Sequence, residues 1–211
     1  MEAEKMQRQG EGQQQENVFK RFLWLYGLYA LLNMVSFLVG YYLLPEGFMR
    51  GSFQVTIGSL AGSATTFWGQ LGLTLLFNLG VVFVIGVLAN LQRMYGVPAG
   101  YLVLIILGVT SGLIAGTNSF AASDLRQFNA WDGTALSMSI GGIEMMAYVL
   151  GISATADIGL YDYSLREWRG RKIRTWREIK LSRSEVLCLC LGILLLVIAA
   201  YQETVMTTSL L

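Results

Sequence analysis

The chain has 211 residues, 54% of them apolar and only 14% charged, against about 25% charged in an average soluble domain. With 15 Lys and Arg against 14 Asp and Glu it has no global basic field to attract nucleic acid. It contains no histidine, which excludes Ser-His-Asp catalysis and every His-containing metal site.

Residues 1–21 open with a stretch rich in Gln and Glu, without apolar periodicity, and are expected to form a disordered polar cytoplasmic tail. The apolar run that follows is too long for a signal h-region and lacks a small-residue cleavage site, so it reads as a retained first span. Residues 22–211 are then expected to form an all-α, polytopic transmembrane helix bundle. Runs of about 20 apolar residues, the length that crosses roughly 30 Å of hydrocarbon, place five spans. These are Phe22 to Leu44, Thr66 to Leu91, Ala99 to Asn118, Thr134 to Leu160 and Val186 to Thr207. Pro45 closes the first span, and Gln92 to Pro98 is a short turn that makes spans two and three an antiparallel hairpin. The outer segment Glu46 to Thr65 reads as a short extended or re-entrant piece.

Charge placement fixes the orientation. With the N-terminus cytoplasmic and the C-terminus outside, 13 of the 15 Lys and Arg lie inside and only Arg50 and Arg126 outside, as the enrichment of cytoplasmic loops in basic residues requires. The expected location is the plasma membrane, crossed several times. The cytoplasmic loop at about 162–185 concentrates eight basic residues. Leu165, Trp168, Trp176 and Ile179 are spaced to fall along one side of a helix. In this interfacial segment Arg169, Arg171, Lys172, Arg174 and Arg177 would meet anionic lipid headgroups, with Trp168 and Trp176 at headgroup level. The partners expected are therefore the bilayer and other membrane proteins or further copies of the chain, and no nucleic acid.

Inside the spans, Gly108, Gly112 and Gly116 recur every four residues, a smooth ridge that lets another backbone approach closely. Gly141 and Gly142 offer small residues for packing in span four. Polar groups are few. At 1.5 Å per residue, Asn33, Asn78, Ser111 and Glu144 all lie roughly 15 to 18 Å deep. A carboxylate facing lipid costs several kcal/mol, so an interior site is expected in which Asn33 or Asn78 hydrogen-bonds Glu144. Asp157, thirteen residues after Glu144, lies about 140° away round the helix. It is expected to pair with the adjacent basic loop. Glu203 falls toward the outer end of the last span. Cys188 and Cys190 read as small hydrophobes, and no metal or other cofactor is expected.

Three short motifs carry a family likeness. Leu-Phe-Asn-Leu-Gly-Val-Val at 76–82 resembles the Asn-bearing helix of the stage II sporulation protein M family. Gly141-Gly142-Ile143-Glu144-Met145-Met146-Ala147 is similar to its G-x-x-E-x-x-A motif, and Leu195 to Thr204 resembles its closing helix. The resemblance covers roughly Thr66 to Leu211. The family often has Pro-His before its central Gly, where this chain has Ser139-Ile140. Asn78, Glu144 and Glu203 are the functional positions that carry over. The likeness implies a non-enzymatic membrane protein that, in spore formers, joins an envelope-remodelling complex beside a peptidoglycan hydrolase, with relatives elsewhere beside ATP-driven transporters. A scaffold or complex subunit is the first expectation. A permease component with a polar site around Glu144 is the alternative.

Overall fold

The computed structural model describes residues 2–120, 129–131, 134–135, 141–164 and 170–209, and of 2–17, 81, 208 and 209 the backbone alone. It is mostly helical, 72% helix and 6% strand. Helix α1 (Glu2–Leu43) is continuous, so the polar segment expected as a tail prolongs the first helix in backbone form. Gln and Glu are good helix formers and the apolar run supplies the nucleus.

Past Pro45 the chain turns at Gly47, whose φ of 79° lies in the left-handed region that glycine tolerates. It then forms α2 (Phe53–Gly62), where the Ser52 side chain accepts from the Val55 N–H, an N-cap that satisfies one of the free amides of the first turn. The segment Glu46 to Thr65 thus contains a helix where an extended or re-entrant piece was expected. Thr66 caps α3 (Phe67–Leu75) in the same way. Without a break the helix widens into a π-segment (Leu76–Phe83) and returns to α geometry in α4 (Val84–Ala89).

Two short strands follow, β1 (Gln92–Met94) and β2 (Val97–Pro98). Tyr95 and Gly96, with φ of 54° and 77°, form the two-residue link. Left-handed φ at both positions is what a type I′ hairpin turn requires. Next come α5 (Gly100–Gly116) and α6 (Gly141–Thr155), then β3 (Tyr161–Tyr163), β4 (Arg171–Lys172), a 3₁₀ turn (Trp176–Glu178) and the closing helix α7 (Arg183–Ser209).

The strands form one sheet in the order β2-β1-β3-β4, with β1 and β3 parallel and the other pairs antiparallel. The sheet is a small addition to a mostly helical fold, and the described residues of 162–185 form strands and a 3₁₀ turn in place of the expected helix up to the start of α7 at Arg183. The cause lies in the backbone. The chain leaves α4 and α6 side by side, and their extended exits satisfy each other's amides and carbonyls, as in Leu160 N–H to Leu91 C=O at 2.7 Å. Helix α6 accordingly stops at Thr155, before a turn at Ala156 and the exposed Asp157, and Ile158 to Leu160 are buried.

Three helical stretches are long and apolar enough to cross a membrane: Val18–Leu43, Phe67–Ala89 and Arg183–Thr207. The other two apolar helices, α5 and the described part of α6, have 17 and 15 residues. They reach about 25 Å and 22 Å at 1.5 Å per residue. The core is where α1, α5, α6 and α7 meet, around Leu25, Leu104, Ala147, Val149 and Leu196. Large apolar side chains such as Trp24, Met34, Ile106, Leu187 and Leu194 face outward, the arrangement suited to a hydrocarbon surround and costly in water.

Packing of α1 on α5 is set by the glycine ridge. A methyl group added at Gly108 would meet the Tyr29 carbonyl, one at Gly112 the Asn33 carbonyl, and one at Gly116 the Phe37 carbonyl. The two helices thus interlock in steps of four residues on both sides. Gly141 has open space around its Cα, and Gly142 lies beside it in the first turn of α6.

Candidate functional site

Glu144 stands in the first turn of α6. The Nδ2 of Asn78, in the π-segment, donates to its Oε1. π-geometry inside a helix re-aims side chains and recurs at functional sites, and Gly80 in the middle of the segment lowers the cost of departing from α geometry. Asn33 goes elsewhere: its Nδ2 donates to the Ser111 Oγ at 2.8 Å. Ser111 donates its one proton to the Leu107 carbonyl at 2.6 Å. The Tyr29 hydroxyl, 3.1 Å from Ser111 Oγ, is therefore the donor in that pair, because a serine hydroxyl has one hydrogen and two lone pairs. Of the two amides considered for Glu144, Asn78 reaches it and Asn33 is committed to Ser111.

Both clusters open on one cavity of about 490 Å³ that reaches the surface at Phe53, Ile85 and Ile106 and also receives Glu203 from α7, Tyr148 from α6 and one side of α2. Two carboxyls, the amides of Asn33, Gln54 and Asn78, and two tyrosines thus share a largely apolar chamber. Sequence reasoning did not bring Tyr29, Tyr148 or Glu203 to this place. Tyr29 and Tyr148 each lie four residues from a recognised polar group, Asn33 and Glu144, and so share its helix face. That was the available signal.

Asp157 belongs to a separate cluster at the sheet end. Its carboxylate meets Arg21 at 2.6 Å and Arg93 at 3.2 Å. Arg174 instead donates to its backbone carbonyl at 2.6 Å. Among the described residues the carboxylate's partners come from the middle of α1 and from β1 and not from the adjacent basic loop, where they were expected, because these elements lie beside the end of α6. Arg171 and Lys172 are exposed on β4, and Trp176 and Arg177 are exposed on the 3₁₀ turn. Trp168 and Arg169 lie outside the described residues.

A third polar group is wholly structural. Asn90, 0% exposed, donates to the Ile152 carbonyl and the Thr155 hydroxyl, both at 2.9 Å, and accepts from the Gly100 N–H at 3.0 Å. It ties the ends of α4, α5 and α6 together. Among the described residues no three of His, Cys, Asp or Glu gather as a metal cage. Cys188 and Cys190 are free thiols.

No family model, curated protein or solved structure matches the chain. Asn78, Glu144 and Glu203 line the same cavity.

Proposed function

We propose that the chain is a non-enzymatic, multi-pass protein of the plasma membrane, related to the stage II sporulation protein M family and acting as a subunit of a membrane or envelope complex. The observation that carries this reading is the convergence of Asn78, Glu144 and Glu203, the family positions, on one cavity. Five inserted segments with the N-terminus cytoplasmic are the topology we favour. The gathering of Arg21, Arg93 and Arg174 around Asp157 supports it, since these residues lie at the ends of spans one, two and four and in the loop after span four. Arg171, Lys172 and Arg177 then face the anionic inner leaflet. Thiol labelling of single cysteines at positions 50 and 177 in sealed vesicles tests the topology, and labelling of both from one side sinks it. Co-purification tests the complex: a chain that leaves the membrane without stoichiometric partners or further copies of itself is no subunit.

A second reading is favoured by the cavity itself. Two acids on one polar site between helices have no evident use in a packed scaffold, whereas a permease component would use them. Under this reading Glu144→Gln abolishes a flux while leaving assembly intact; under the scaffold reading it weakens assembly.

A further inference from the structure

We propose that the cavity binds an organic monocation, a single ammonium-type charge on an apolar body, held between Glu144 and Glu203. The inference deepens the permease reading and rests on it.

Charge comes first. Among the described residues, the titratable groups facing the cavity are Glu144, Glu203, Tyr29 and Tyr148, and none of the described Lys or Arg lines it. A carboxylate in such surroundings needs a proton or a cation, because an unpaired charge away from water costs several kcal/mol. Glu144 is met by one amide. The Glu203 carboxylate receives no hydrogen bond from the described residues, its recorded bond being from the Thr207 hydroxyl to its backbone carbonyl. Gln54, on α2 at the cavity wall, keeps a buried side-chain oxygen without a partner. Two carboxyls and the Gln54 oxygen thus offer acceptors that an ammonium group can meet.

The walls select the rest of the ligand. Two carboxylates fall short of the six to eight oxygens that Ca²⁺ gathers, and rings from Tyr29, Phe53, Phe77 and Tyr148 line the same space. Aromatic faces attract organic cations, and about 490 Å³ lies within the range of small-molecule sites. The ammonium could belong to a free amine or to a lipid headgroup; the chemistry is shared.

Full-length protein in nanodiscs of phosphatidylglycerol, a lipid without an ammonium group, is dialysed against radiolabelled tetraphenylphosphonium, with empty discs as the blank and tetraphenylborate, an anion of the same shape, as control. Saturable binding of about one equivalent per chain is expected, weakened about tenfold or more in both Glu144→Gln and Glu203→Gln, with no saturable uptake of the borate. Glu203→Gln removes no recorded side-chain hydrogen bond, so it remains informative if Glu144→Gln fails to fold. Unchanged binding in Glu203→Gln, or equal binding of the borate, overturns the proposal. If phosphatidylethanolamine added to the discs competes with the probe, the cation is a lipid amine; if it does not, while the probe still binds, the cation is a free amine. A flux that depends on Glu144 without saturable cation binding would refute this inference and leave the permease reading standing.

Discussion

The carboxamide of Asn78 and the carboxyl of Glu144 join the π-segment to α6 through a single side-chain hydrogen bond. Removing one member strands the other in an apolar interior, at a cost of about 1–3 kcal/mol, whereas removing both leaves nothing to strand. Asn78→Leu is therefore expected to lower the melting temperature in detergent, and Asn78→Leu with Glu144→Leu to be less destabilised than the two single effects summed. Strict additivity would mean that the two groups do not depend on each other.

The α1–α5 contact makes a sharper mechanical prediction. A side chain at Gly112 or Gly116 meets a backbone carbonyl of α1, which cannot rotate away. Gly112→Val is expected to cost at least as much as ordinary overpacking, about 1–3 kcal/mol. Gly72→Ala, where open space surrounds the Cα, is the control and should be neutral or slightly stabilising. Equal melting temperatures for the two variants would refute the close contact.

These two relationships differ in how much of them could be read from the sequence. The four-residue glycine spacing marks a helix face by periodicity alone, and Glu144 is conspicuous because a carboxylate in an apolar run is expensive wherever it points. Which amide would serve it was not legible. Asn33 and Asn78 have similar depths, and the choice depends on a π-segment that no composition rule announces. Glu203 joined the cavity because of how α7 packs on α6, a tertiary fact. The small sheet was equally hidden: Gln92–Met94 and Tyr161–Tyr163 are three-residue strands, too short for a period-2 pattern, and their pairing depends on two helix ends emerging side by side.

Asn90 provides a test of the polar tie between helices. All three of its recorded bonds end on buried groups. In Asn90→Leu the Gly100 amide and the Ile152 carbonyl lose their side-chain partner. A loss of about 2–4 kcal/mol is expected, from two stranded groups at about 1–3 kcal/mol each and partial relaxation. Asn90→Asp should do no better, since it places an acceptor against the Ile152 carbonyl. Chemical denaturation in mixed micelles measures both, and a wild-type midpoint for Asn90→Asp would show that the tie is unimportant.

At the sheet end, Asp157 is 54% exposed at its side chain, so its two ion pairs are screened and each is worth about 0.2–1 kcal/mol. Asp157→Asn should therefore lower stability only slightly, and the deficit should shrink as salt is raised. The measurement is a melting series across ionic strength. A deficit that persists unchanged at 1 M salt would mean that the carboxylate acts by something other than charge.

The 3₁₀ turn carries a pH dependence of its own. The Thr175 backbone N–H donates to Glu178 Oε2 at 3.0 Å, closing a capping box. Backbone and then side-chain hydrogen bonding from Thr175 hold the Glu178 carboxyl below its ordinary value of 4.5. A carboxyl whose folded value lies below its unfolded one contributes order that is complete above the unfolded value and is lost as the pH falls through the folded one. The Thr175 amide should accordingly be protected from hydrogen exchange at pH 7 and lose that protection, relative to intrinsic exchange, as the solution is acidified below the ordinary carboxylate range. Glu178→Gln should flatten the profile, because its amide does not titrate. An identical acid-induced loss in Glu178→Gln would place the titrating group elsewhere in the loop.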